Sequence, residues 1–322
     1  METNVNSTTE KTMSLLKVSS SPHIRTTDSV QRIMLDVIIA LIPAIVFSVV
    51  YFGIRALLVI GVSVAAAVAA EACVQKALKR RVTIYDFSAV VTGILLAFNV
   101  PSTMPLWQVA VGSIFAIVVV KQVFGGLGQN FINPALAGRA MLLASWGQNM
   151  SRFATPFQPD VISGATPLSG GEFPSLMDMF LGKMPGVLGE VSTLALLLGA
   201  AYLLVRGVIH IRIPAVMIGS FVVFMSIFGM ISGEVSLAQI PQQVLAGGLI
   251  LGAFFMATDY ATAPMTAQGQ LIFACGAGLL TALIRSFGGY PEGVSYAILL
   301  MNVCTPLIDK YCVRKPFGGV KK

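Results

Sequence analysis

The sequence predicts an all-α polytopic membrane protein. About ten transmembrane helices are expected, in two inverted five-helix repeats with broken helices. Three observations carry this. Of 322 residues, 56% are hydrophobic and only 11% are charged, against about 25% charged in an ordinary soluble domain. The basic residues lie between long apolar runs and do not form a stripe on a soluble face. Two polar, proline-containing breaks recur within a weak internal repeat. The composition excludes a disordered chain, a disulfide scaffold, a collagen and a nucleic-acid-binding domain.

The elements follow in order. Residues 1–32 are polar, with Lys11, Lys17, Arg25 and Arg32 and no apolar core, so they are expected to be a cytoplasmic tail and not a cleavable signal. Apolar runs long enough to approach a span fall at 33–54, 56–75, 82–99, 106–123, 131–146, 187–205, 213–232, 243–258, 266–286 and 294–309. The fifth is the weakest: it is short and carries Arg139. The expected organisation is a first membrane half at 33–146, an external loop at 147–186, a second half at 187–309 and a cytoplasmic tail at 310–322.

Charge sets the orientation. With the N-terminus inside, most of the 21 basic residues are cytoplasmic, including Lys76, Lys79, Arg80, Arg81, Lys121, Arg206 and Arg212. The outer segments hold Arg55, Arg152, Lys183 and Arg285. Both termini are thus expected in the cytoplasm of a bacterial cell, with the 147–186 loop outside its inner membrane.

The repeat pairs residues 93–105, GILLAFNVPSTMP, with 252–264, GAFFMATDYATAP. Gly93 matches Gly252, Thr103 matches Thr262 and Pro105 matches Pro264. Phe124-Gly125-Gly126 then matches Phe287-Gly288-Gly289 after a short insertion. Segments 99–105 and 258–264 are too polar for lipid, and irregular backbone at membrane depth survives only inside protein or along a polar cavity. They are read either as walls of a central site or as surface turns.

Cys73, Cys275, Cys304 and Cys312 form no C-x-x-C pair, and the first three lie in apolar runs, which predicts buried inert thiols. His23 and His210 are isolated, so no metal site is expected. Gly125–Gly128 lacks the Lys-Ser/Thr of a phosphate loop and is read as a packing turn, with Gln129, Asn130 and Asn133 available to a polar path. Among the acids Asp36, Glu71, Asp86, Asp259, Glu292 and Asp309, most fall near run ends and are read as interfacial. Asp259 lies in a repeated break and is the acid assigned to an ion path, with Asn130 and Asn133.

In the outer loop, Asp160-Val161-Ile162-Ser163-Gly164-Ala165-Thr166-Pro167-Leu168 reads as an accessible hydroxyl segment. Pro167 biases Thr166 toward extended backbone. The D-x-x-S-G-A-T pattern resembles the recognition sequence of the transferases that attach FMN through its phosphate to threonine. Other segments agree: Ser21-Pro22-His23, Phe124 to Asn130, Asn133-Pro134-Ala135, Phe255 to Asp259 and Gly289 to Asn302. Over about residues 20–312 the chain is similar to the family that unites the RnfD component of the Rnf complex with its counterpart in the sodium-pumping NADH:quinone reductase. The short N-terminal tail favours the Rnf member. Tyr260 departs from the proline that many relatives carry there.

The resemblance implies a membrane electron carrier within a multi-subunit complex that moves electrons between ferredoxin and NAD and exports Na⁺ or H⁺. It implies FMN on Thr166, with Asp160, Ser163, Gly164 and Ala165 as the attachment motif, a separate flavin transferase, and a non-covalent riboflavin. The chain holds no nicotinamide fingerprint and no iron–sulfur cysteine pattern, so no catalytic residue is assigned and it is not a complete enzyme alone. The competing readings are an inverted-repeat transporter or channel without a redox cofactor, and a passive scaffold.

Overall fold

The computed structural model describes residues 29–163, 166, 168, 173–190, 192–232, 239–288 and 292–313. Most of the N-terminal tail, Gly164, Ala165 and most of the C-terminal tail lie outside them. Helix α1 (Val30–Phe52) starts where the Ser29 hydroxyl accepts from the Arg32 amide. The chain reverses at Gly53 into α2 (Ile54–Ala77). Then come α3 (Ser88–Phe98) and α4 (Leu106–Phe115), which continues as a π-helical stretch, Ala116–Gln122. Helix α5 (Pro134–Met150) is capped by Asn133, with proline in its first turn, and kinks at Trp146. The second part runs through α6 (Leu176–Leu181), α7 (Thr193–Val205), α8 (Arg212–Ser232), α9 (Ile240–Leu245) and α10 (Leu249–Leu251). Helix α10 passes into a π-helical turn, Gly252–Met256. Helices α11 (Ala267–Phe287) and α12 (Val294–Tyr311) complete the chain.

This is an all-α membrane protein. Among the described residues, four helices are long and apolar enough to cross a bilayer: α1, α2, Arg212–Ile231 of α8, and α11. Segments 82–99 and 243–258 differ from full spans. Helix α3 has 11 residues, a rise of about 16 Å against a hydrocarbon core of about 30 Å. Each is a half-length helix ending in a break, and each is buried on nearly every side, from Ile94 to Phe98 and from Leu249 to Ala257.

The two breaks lie at opposite ends of α1. The first, 99–105, sits at its C-terminal end, where Thr103 bonds the Arg152 carbonyl and Arg55 reaches the Ser102 carbonyl at 3.2 Å. The second, 257–266, sits at its N-terminal end. There Tyr260 bonds the Val208 carbonyl just after α7, and Arg206 of α7 pairs with Asp36 of α1 at 3.1 Å. Helix α3 therefore enters from one end and Leu249–Met256 from the other. Their tips meet at Asn99 and Met256, whose amide nitrogen and sulfur are 3.7 Å apart.

Small residues let the helices close. At Gly199 of α7 an added Cβ would lie 2.0 Å from the Ala40 carbonyl oxygen of α1, so only glycine permits this approach. Large apolar side chains such as Val46, Val50 and Ile54 face outward, as lipid contact requires. Cys73, Cys275 and Cys304 also face outward. This corrects the expectation of buried thiols, because an apolar run does not tell a lipid-facing position from a core one.

Part of the 147–186 segment forms a β-hairpin. β1 (Phe153–Thr155) pairs antiparallel with β2 (Gln158–Ser163), with Phe153 opposite Ser163. The hairpin is tied to the end of α1: the Phe157 amide donates to the Tyr51 carbonyl at 2.9 Å, and the two rings meet edge-on.

Candidate functional site: an inner cavity, an outer charged cluster and the Thr166 loop

The inner cavity opens near the start of α1 and has a volume of about 100 Å³. That is room for several waters, since one needs roughly 10–15 Å³ by this measure. Its apolar walls include Leu95, Phe254 and Phe255, and its polar groups are Ser88, Lys121, Asn130, Asn133, Thr258 and Asp259. The three residues assigned to an ion path thus line one cavity. Each is placed by local structure. Asn133 caps α5 through its Oδ1 and donates through Nδ2 to the Met256 carbonyl at 3.3 Å. Asn130 donates to the Ile132 carbonyl at 3.1 Å and interacts electrostatically with Asp259. Asp259 also accepts from Thr262 Oγ1 at 3.2 Å and the Ala261 amide at 3.4 Å, bonds that hold the second break in a turn.

Lys121 ends the π-helical stretch of α4 and is 2% exposed. Its ammonium lies 2.8 Å from a carboxylate oxygen of Glu71, itself 1% exposed, and 2.6 Å from Ser88 Oγ. Gln122 donates to the same carboxylate at 2.7 Å. This corrects the interfacial reading of Glu71, whose carboxylate is buried against Lys121. It also leaves Asp259 outside every ion pair among the described residues. The Lys121 charge acts on it across the cavity but is already matched by Glu71. The cavity wall and its support therefore carry one carboxylate more than they carry cations.

Toward the other end of the bundle lies a second polar cluster. Arg139 of α5 pairs with Glu292, bonds Ser295, and donates Nε to the Asn99 carbonyl at 3.1 Å. Glu190, 7% exposed, interacts electrostatically with Arg139 and Arg285. Arg285 is a half-buried staple, with its guanidinium on four backbone carbonyls and 5.0 Å from the Phe221 ring centroid. Sequence reasoning passed over Glu190 altogether. Its signal was a lone acid just ahead of an apolar run.

In the loop, Asp160 lies within β2, Ser163 ends it, and Thr166 follows three residues later. The Thr166 residue is 5% exposed. The expectation of an accessible hydroxyl is therefore not met with the loop seated as it is. Thr166 is not among the residues that line the cavity with Asp259.

Fold and sites together define a polytopic α-helical membrane protein with half-length helices and buried charged groups at two depths. The chain matches the NQR2, RnfD, RnfE family model over residues 17–318 and belongs to that family. It is 50% identical over 314 residues to the D subunit of the Na(+)-translocating ferredoxin:NAD(+) oxidoreductase complex of Acetobacterium woodii, covering 95% of this chain and 96% of the relative. It is 46% identical over 320 residues to the D subunit of the proton-translocating ferredoxin:NAD(+) oxidoreductase complex of Clostridium ljungdahlii, covering 94% and 96%. It is 36% identical over 354 residues to the D subunit of the ion-translocating oxidoreductase complex of Escherichia fergusonii, covering 95% and 99%.

Proposed function

We propose that this chain is the flavin-carrying membrane subunit of an ion-translocating ferredoxin:NAD oxidoreductase complex, with FMN joined through its phosphate to Thr166. The observation that carries this is the D-x-x-S-G-A-T segment of a family member, on a hairpin-anchored loop at the end of the bundle that charge bias assigns to the outside. The hydroxyl of Thr166 is the donor chemistry that a phosphoester needs. Space is the constraint: a residue 5% exposed cannot accept so large a group without loop movement, so attachment precedes seating of the loop or lifts it. Once attached, FMN supplies one-electron relay chemistry. The chain's contribution is to tether it on the outer surface at high local concentration.

A non-covalent riboflavin, which the family implies, would sit in the inner cavity. Phe254 and Phe255 offer an apolar wall, and the Asn130 and Asn133 amides offer donors and acceptors. Asp259 on the same wall is the acid that would bind a translocated Na⁺ or H⁺, since it holds the uncompensated charge. The relatives' names divide between sodium and proton. The two half-helices entering from opposite ends support an arrangement of ten crossings in two inverted repeats. They also favour a second reading, a transporter without a redox cofactor.

Flavin fluorescence of the denatured band decides between the two. The wild-type band should fluoresce and carry the mass of FMN. Thr166→Val, which keeps the shape and removes the oxygen, should be dark while the protein still inserts. Ser163→Ala should keep the attachment atom and hence the mass. A dark wild-type band, or FMN mass persisting in Thr166→Val, would overturn the assignment.

A further inference from the structure

We propose that Gly247–Gly248 is a hinge, latched by Leu168 of the outer loop, through which that loop sets the opening of the inner cavity. The two glycines have φ of +71° and +65°, consecutive left-handed conformations that other residues resist. They join α9 to the buried segment Leu249–Met256. Three elements grip the joint. An added Cβ at Gly247 would lie 2.3 Å from Leu168 Cδ1 and 2.6 Å from Arg285 Nη2, so the loop and α11 press on the same point. At Gly248 it would lie 3.3 Å from Glu190 Oε1. Leu168 also packs with Met179, Met184 and Ala246 in a cluster separate from the main core.

Arg285 fixes the near side of the joint. It donates to the carbonyls of Gln243 at 2.5 Å, Ala246 at 2.9 Å and Gly247 at 3.2 Å, which end α9. The far side is a lever. Eight residues from Leu249 to Met256 rise about 12 Å, so a tilt of about 10° moves the tip by about 2 Å. The tip carries Thr258 and Asp259 on the cavity wall, and Phe254 and Phe255 line it on the way. The lever contains a π-helical turn, a rare geometry that is frequent at functional sites. Leu168 is two residues from Thr166, a reach of about 7 Å at most. Whatever lifts Thr166 therefore moves the latch. The trigger, a change at the attached FMN, rests on the flavin reading above. The mechanical link does not.

The test uses the whole complex in membrane vesicles, with Cys73, Cys275, Cys304 and Cys312 of this chain replaced by alanine and Thr258→Cys as reporter. The rate of N-ethylmaleimide labelling at position 258 is measured, and gel flavin fluorescence is read on the same samples. Leu168→Ala, which removes the latch, should change the rate by at least about fivefold, the lower end of ordinary site–site coupling. Leu283→Ala, the same truncation at an outward-facing position of α11, should leave it unchanged. An unchanged rate in Leu168→Ala overturns the hinge, whatever the fluorescence. A changed rate together with a dark wild-type band keeps the hinge and removes the flavin reading. Should Leu168→Ala fail to assemble, Leu168→Val is judged on the same rate by the same criterion.

Discussion

Lys121→Met leaves the Glu71 carboxylate buried without its cation. In the native protein that carboxylate receives the Lys121 ammonium at 2.8 Å, Gln122 Nε2 at 2.7 Å and Gln75 Nε2 at 3.4 Å. Methionine fills much of the lysine's volume, so the change is mainly electrostatic. Removing one partner of a buried pair costs about 3–5 kcal/mol, whereas replacing both by neutral groups of similar size is often close to neutral. Glu71→Gln alone strands the ammonium with Ser88 as its remaining neighbour. The double variant Glu71→Gln/Lys121→Met should therefore recover most of the loss, with a coupling of about 2 kcal/mol or more. The assay is a double-mutant cycle on the purified complex in detergent, following retention of this subunit through a denaturant series. Simple additivity of the two single changes would refute the argument. A stable double variant with diminished ion transport would show that Lys121 also sets the field at Asp259.

Three further outcomes follow from the geometry. Asp259→Asn should lower ion transport per electron while the complex still assembles and keeps flavin, measured by ²²Na⁺ or pH-dye uptake against NADH formed; unchanged coupling removes Asp259 from the path. Single cysteines at positions 170 and 318, in a background free of native cysteines, should label oppositely with an impermeant reagent added outside, and equal labelling would sink the topology with both ends inside. Gly199→Ala should destabilise the α1–α7 contact by about 1–3 kcal/mol, seen as earlier loss of the folded subunit on heating, because the new methyl meets the Ala40 carbonyl.

Helix order was legible because apolar runs are long and their ends are marked by Ser29, Asn133, Ser192 and Thr266, each of which accepts from the first turn of its helix. The half-length helices were not. Run length counts apolar residues and is blind to where the backbone turns, so 82–99 looks like a span although its helix occupies Ser88–Phe98. The break at 258–264 was visible as a polar interruption, and so were the polar residues that follow Gly125–Gly128, which is why Asp259, Asn130 and Asn133 could be singled out before their cavity was known. The Glu71–Lys121 pair was invisible because its members lie on different helices and each sits near the end of an apolar run. Position in a run reports distance from the bilayer surface and says nothing of which neighbour is opposite. The burial of Thr166 and the docking of Phe157 against Tyr51 are long-range features that a local motif does not encode.

The meeting of α3 with Leu249–Met256 has an electrical consequence. Both half-helices point their carbonyl ends toward the middle of the protein, and each such end carries roughly half a negative charge. Arg139 covers one, through the Asn99 carbonyl, while the other is met by the neutral amide of Asn133 on the Met256 carbonyl. The interior is thus polarised by its own backbone. A cation leaving Asp259 for the centre would meet these fixed negative dipoles, and an anion on the same route would be repelled.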